Sequence, residues 1–391
     1  MVPIPITLPV FGDEELRAVQ LPLETGWVVQ GPHVAEFEAT FAEFVSCEHA
    51  VATSSCTTAL QIAVGALELQ RDDEVIVPAL TWISTANVVE YLGAKPVFCD
   101  IDLATFNIDV PGLEAAMTPR TVGVIPVHLF GLAACMPEVQ RLAEAAGAWI
   151  VEDAACGLGA RIDGVHVGAF GAAGCFSFHP RKSITTGEGG MITTARDDIE
   201  RASRELRDHG ASKSDLARHE GSGAFLLSEY NRLGFNFRMT DIQGALGVAQ
   251  MARCTAILEA RRVAAGRYDE LLSGLEWLRT PIVPGGYDHG YQAYVCLFAP
   301  EEPSLANLDR LHAQRNAIMA RLEALGIATR QGTHAAALQG YYVEKYGHRP
   351  GDFPNAAIAE ALTIALPLFP QLTSDQQEFV ASELEQAYAA G

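Results

Sequence analysis

One lysine lies in the segment Ser177-Phe178-His179-Pro180-Arg181-Lys182-Ser183-Ile184-Thr185-Thr186-Gly187-Glu188-Gly189-Gly190. A β-rich run ends at Phe178, and a polar, glycine-rich turn follows. Such a turn carries Lys182 to the mouth of a sheet. A desolvated amine there has a lowered pKa and can attack a carbonyl to form a Schiff base. The same lysine can also be an ordinary solvated loop residue. Glu152-Asp153 closes another run, Trp149-Ile150-Val151. A carboxylate at that position can pair with a protonated ring nitrogen, or can merely cap the next turn. Thr53-Ser54-Ser55-Cys56-Thr57-Thr58 precedes a helical pattern. Small hydroxyl residues at a helix start leave backbone N–H groups free for a phosphate, and they also serve as a plain N-cap. Trp82, in Thr81-Trp82-Ile83-Ser84-Thr85-Ala86-Asn87, can stack on a planar ring or pack in the core.

Three of the four features follow strand-like runs, and the fourth opens a helical pattern. An anion cradle, a stacking aromatic, an acid for a ring nitrogen and a Schiff-base lysine together describe a site for pyridoxal 5′-phosphate (PLP).

The elements that must position them are legible as alternation. β-rich runs fall at 75–78, 96–99, 123–127, 149–151, 175–178 and 191–194, several of them apolar on both faces. Helical patterns fall at 34–45, 57–69, 81–92, 136–147 and 196–208. This rhythm predicts an α/β fold, a three-layer αβα large domain around a mainly parallel sheet, with ligands beyond the carboxyl ends of the strands. The chain then turns helical to Leu272, and a Pro/Gly-rich stretch follows at 281–286. We read residues 1–250 as the large domain and 251–391 as a smaller α+β domain.

With 391 residues, of which 49% are hydrophobic, the chain has ample material for a core. Its 27 basic and 48 acidic residues give a net charge of −21, which argues against non-specific nucleic-acid binding. An anionic ligand must then rely on local donors. No apolar run is long enough for a membrane span, and the start reads as no signal peptide. The eight cysteines lack metal-knuckle spacing, so no metal is expected and a reducing, cytoplasmic setting is. No Gly-x-Gly-x-x-Gly follows the first strand, which disfavours a nicotinamide dehydrogenase.

Taken together, the chain resembles the DegT/DnrJ/EryC1/StrS sugar aminotransferases, members of the fold-type-I, aspartate aminotransferase-like PLP enzymes. The resemblance is carried by Gly26-Trp27, Gly31-Pro32, Ser54–Thr58, Pro78–Asn87, Pro126–Gly131, Glu152–Gly159, Ser177–Gly190, Gly234–Gln243 and Leu366–Pro370. It implies Lys182 as the Schiff-base and proton-shuttling lysine, Asp153 at the pyridine nitrogen and Trp82 on the ring. It places Cys56, Thr57 and Ser177 at the phosphate, with Asn236 reaching it from a neighbouring subunit of a homodimer. Arg238 and His334 are implied near the substrate. Family members commonly carry His, Gln or Glu where this chain has Cys156, close to the ring hydroxyl; Cys is a weak hydrogen-bond partner, and a modest effect on the cofactor is expected. Relatives with His in place of the lysine are dehydratases, so Lys182 favours transamination. The implied reaction moves an amino group from glutamate to a nucleotide-linked 4-keto-6-deoxy sugar. A 3-keto-sugar or a cyclitol as acceptor, and a non-catalytic PLP-binding regulator, remain alternatives. His128 and His179 read as structural histidines. Substrate choice is expected to rest on loops 209–232 and 328–350.

Overall fold

A computed structural model describes residues 3–212 and 228–390. Part of the loop 209–232 therefore lies outside the described residues. The central sheet has seven strands: β1 (His49–Thr53), β2 (Glu74–Pro78), β3 (Lys95–Cys99), β4 (Thr121–Val124), β5 (Trp149–Asp153), β8 (Ala173–Ser177) and β9 (Gly190–Thr194), in the spatial order β1-β9-β8-β5-β4-β2-β3. Between β5 and β8 the chain forms the short pair β6 (Arg161–Ile162) and β7 (Val165–His166). The β8–β5–β4–β2–β3 pairings are parallel, and β9 runs antiparallel to both β1 and β8. The carboxyl ends of β1, β8, β5, β4 and β2 thus share one edge with the start of β9.

Alternation along each strand feeds two apolar layers. Ala50, Ile76, Val124, Phe176 and Met191 pack with Phe37 and Phe41 of the helix Pro32–Val45 and with Leu142 and Ile257. Val51, Val75, Val77, Val151 and Ile192 pack on the other face with Leu60, Val88 and Leu206. This is the expected three-layer α/β arrangement. All residues of β2 and β9 are buried, which explains why their sequences show no polar alternation.

Sequence reasoning does not foresee β1. Its residues, His-Ala-Val-Ala-Thr, carry two alanines, which disfavour strands. Antiparallel pairing with β9 and burial on both faces override that preference. The C-terminal part carries a sheet of its own. β10 (Leu278–Arg279), β12 (Tyr294–Phe298) and β13 (Thr363–Leu366) form a second, three-stranded sheet, and β11 (Tyr287–Asp288) pairs with β6. Ile4 bridges to Ile327, so the start of the chain joins this C-terminal part. Position 250, the expected end of the large domain, lies inside one helix, Asp241–Leu272, which crosses from one part to the other without a linker. Among the described residues no helix is long and apolar enough to cross a membrane, and all eight cysteines are free thiols.

Candidate active site

Lys182 reaches the sheet edge on a loop folded back onto its own base. The Phe178 amide donates to Gly189 O at 2.9 Å, and the Thr186 amide and the Thr185 hydroxyl both donate to Phe178 O, at 3.1 and 2.7 Å. Gly187 takes a positive φ of 81°, which lets the loop reverse into β9. At the tip, Lys182 Nζ donates to Cys156 Sγ at 3.1 Å. Both line a narrow crevice with Ser177, Ser183 and Gln292. The expectation of a depressed lysine pKa is corrected here. Burial does push the amine down, but Cys156, Cys56 and Asp153 all favour its charged form, and the net direction is upward.

Asp153 ends β5 and is 4% exposed. Its Oδ2 accepts from the Thr85 hydroxyl at 2.7 Å and its Oδ1 from the Ala155 amide at 3.1 Å. Burial raises its pKa, against the opposing pull of these donors, Lys182 and His128. A cation placed against Asp153 would relieve that burial cost. Thr85 has no role in the sequence reading. Its signal is positional: it stands three residues after Trp82, in the first turn of the helix Ser84–Tyr91.

The helix Cys56–Gly65 starts beside β9. Ser55 caps it, accepting from the Thr58 amide at 3.2 Å, while the Ser55 amide donates to Thr58 Oγ1 at 3.0 Å. The capping box leaves the first-turn amides of Cys56 and Thr57 without helical partners. Gly190 faces Thr53 on one side and Ser177 on the other. A Cβ on Gly190 would lie 2.4 Å from Ser55 C and 2.6 Å from Cys56 N, so only glycine lets this helix start sit against the sheet. Ser177 Oγ accepts from the His179 amide at 3.4 Å.

Trp82 is 59% exposed, which removes core packing as its role. Its ring lies 5.9 Å from that of His334, and the Thr81 amide donates to His334 O at 3.1 Å. The C-terminal part therefore meets the sheet edge at this indole. Arg238 is half-buried and ion-paired to Asp208, and Asn236 is exposed in a segment whose Phe237 carbonyl accepts from the Ser54 amide at 2.9 Å. The structure thus brings Lys182, Cys156, Cys56, Thr57, Ser177, Asp153, Trp82 and His334 to one edge, with Asn236 and Arg238 flanking Ser54. Arg238 spends one nitrogen on Asp208 rather than standing free.

His128 and His179 both make hydrogen bonds within the fold. His128 accepts the Ala134 amide at Nδ1 and meets Glu152 at 2.9 Å through Nε2. His179 Nδ1 accepts the Arg181 amide at 3.2 Å. Gln292 went unnoticed in the sequence; its Nε2 donates to Arg181 O at 2.8 Å, from 111 residues away. No local pattern could have indicated that contact.

The donor set suits PLP: an amine for its aldehyde, a buried carboxylate for its ring nitrogen, an exposed indole for its face, and a glycine-cleared helix start for its phosphate. A model of the DegT/DnrJ/EryC1/StrS aminotransferase family matches residues 9–385. The chain belongs to that family. Like the DegT/DnrJ/EryC1/StrS enzymes generally, it is a PLP-dependent aminotransferase. It is 36% identical to the spore coat polysaccharide biosynthesis protein SpsC of Bacillus subtilis, over 96% of this chain and 95% of SpsC. It superposes with a TM-score of 0.91 on PseC of Helicobacter pylori, an aminotransferase of pseudoaminic acid biosynthesis, at 25% identity and full coverage of both chains. A Streptococcus pneumoniae protein solved in its PLP form gives 0.89 at 26% identity, covering 99% of each chain. These family structures share the fold-type-I architecture seen here.

Proposed function

We propose that the chain moves an amino group from glutamate to a keto-sugar, a nucleotide-linked 4-keto-6-deoxy sugar, giving an amino-sugar nucleotide. The observation that carries this reading is the meeting of Lys182 and the buried Asp153 at one sheet edge, with Trp82 exposed nearby. Support for the sugar comes from SpsC and PseC, both tied by name to carbohydrate biosynthesis.

PLP, when bound, supplies an electron sink for the carbanion formed at the amino-bearing carbon. Lys182 would hold it covalently and, once freed by the amino donor, would move the proton as general base and then acid. Asp153, fixed by Thr85 and the Ala155 amide, would keep the ring nitrogen protonated. Trp82 would cover the ring. The amides of Cys56 and Thr57, the Thr57 and Ser177 hydroxyls and Asn236 from the neighbouring subunit of a homodimer would hold the phosphate. Cys156 would serve the ring hydroxyl. Arg238 keeps donors beyond the one given to Asp208 and serves the nucleotide diphosphate, while His334 beside Trp82 contacts the sugar. The free thiols suit a reducing cytoplasm.

The test is an absorption spectrum of the PLP-loaded protein. Glutamate is expected to convert a band near roughly 410–430 nm into one near roughly 330 nm, and a 4-keto-6-deoxy sugar nucleotide to reverse the change. A band that glutamate leaves untouched would sink the transaminase assignment. A band that responds to glutamate but is reversed only by a 3-keto sugar or a cyclitol would overturn the acceptor.

A further inference from the structure

Three thiols stand near the cofactor edge, and they are not equivalent. Cys56 and Cys175 are buried, and burial drives both thiols well above their ordinary pKa. Cys56 Sγ is occupied with Cys175 O at 3.5 Å. Both are poor nucleophiles. Cys156 is only partly buried and lines the crevice beside Lys182. Its sulfur receives the Lys182 amine at 3.1 Å, so the sulfur and nitrogen are already in contact. The same crevice contains Ser183, 8% exposed, whose hydroxyl has no partner among the described residues.

From this geometry we infer that Cys156 and Lys182 form a redox-sensitive modification site, in which a hydroperoxide links the two side chains through a sulfur–nitrogen bond. The thiolate of Cys156 attacks the O–O bond and takes one oxygen, becoming a sulfenic acid. Its sulfur is oxidised by two electrons and the peroxide is reduced. The departing hydroxide takes a proton from the Lys182 ammonium, leaving water and a neutral amine. That amine attacks the sulfenyl sulfur, forms the S–N bond and expels a second water. The lysine is then unavailable to PLP. Two equivalents of a small thiol break the S–N bond, restoring the thiol and the amine and leaving one disulfide. The linkage forms whenever Lys182 is not bonded to the cofactor, and bound PLP protects against it. Sensitivity to hydroperoxide thus follows from having Cys at this position.

The test uses the full-length chain, stripped of cofactor or loaded with PLP, treated with hydrogen peroxide and digested with trypsin. The stripped chain is expected to lose about 2 Da, the mass of two hydrogens, and to yield the peptide 142–161 joined to 182–196. Dithiothreitol should release both peptides and restore the visible band on adding PLP. The loaded chain should give at least about tenfold less cross-link. Cys156→Ser should give none. Lys182→Ala should instead yield a sulfenic acid at Cys156 that a cyclic 1,3-dione traps. A 2 Da loss that persists in Lys182→Ala would show a disulfide and overturn the inference. So would a cross-link that forms equally in the PLP-loaded chain, or peroxide consumption at Cys56 or Cys175 in preference to Cys156. The mass readout needs no substrate, so failure of the keto-sugar reading leaves it untouched.

Discussion

In β5 the side chains of Glu152 and Asp153 leave the strand on opposite faces, and the two faces are furnished differently. Glu152 is 0% exposed, and its oxygens are fully claimed. Oε2 accepts the Gly168 amide at 2.7 Å and meets His128 Nε2, and Oε1 accepts the Phe170 and Gly171 amides at 2.8 Å each. His128 Nδ1 accepts the Ala134 amide, so Nε2 carries the hydrogen and donates to Glu152. Every partner on that face belongs to the loops that join the strands. Asp153 receives only Thr85 and the Ala155 amide, and it looks toward Lys182. Two adjacent carboxylates, alike in sequence, thus meet different surroundings, one tied into the loops and one turned to the candidate site. The division arises because a strand turns successive side chains to opposite sides and only one side opens at the sheet edge.

The contrast can be broken from either side. Asp153→Asn is expected to lower turnover by about 10³-fold, with the thermal midpoint nearly unchanged, since an amide oxygen still accepts from Thr85. Steady-state kinetics with a melting curve decide this; a large loss of stability would place Asp153 with the architecture. Glu152→Gln should do the reverse. One oxygen becomes an NH₂ facing N–H donors, and the fold should lose about 2–4 kcal/mol while the folded fraction keeps its cofactor band. A variant equally stable in urea would refute the structural role.

Acid should act on the architectural side as well. His166 is buried, donates to Val167 O through Nδ1 and accepts the Gly159 amide at 2.9 Å through Nε2, so the fold holds it neutral. Burial lowers its pKa to about 4, and that of His289 to about 3. The unfolded chain then binds more protons than the folded one below about pH 6.5. Stability should be fully present above that pH and decline as it falls toward 4. His166→Gln should flatten this decline, and an unchanged slope would remove His166 as its source. The smallest effect expected is that of Thr85→Val, which removes one neutral donor from Asp153. About a tenfold loss of turnover should result, with fold and cofactor loading retained. No change would mean that the Ala155 amide alone positions the carboxylate.

Much of the site was readable because its parts are local. Lys182 lies in a loop closed within a dozen residues, Cys56 and Thr57 follow a capping signature, and Asp153 ends an apolar run. The fold class was readable for the same reason, since alternating burial on two faces leaves its mark on each strand. β1 escaped because alanine carries no strand signal, and its place beside β9 depends on a partner 140 residues away.

By itself the sequence determined which chemistries were on offer: an amine, a carboxylate, an aromatic and a helix start, each set by short-range pattern. Only the tertiary structure decided their company. It put Cys156 against Lys182, Thr85 against Asp153, His334 beside Trp82 and Gln292 beneath Arg181. It also tied Glu152 into the loops and turned Asp153 toward the candidate site, because which face of a strand meets solvent depends on what packs against the other.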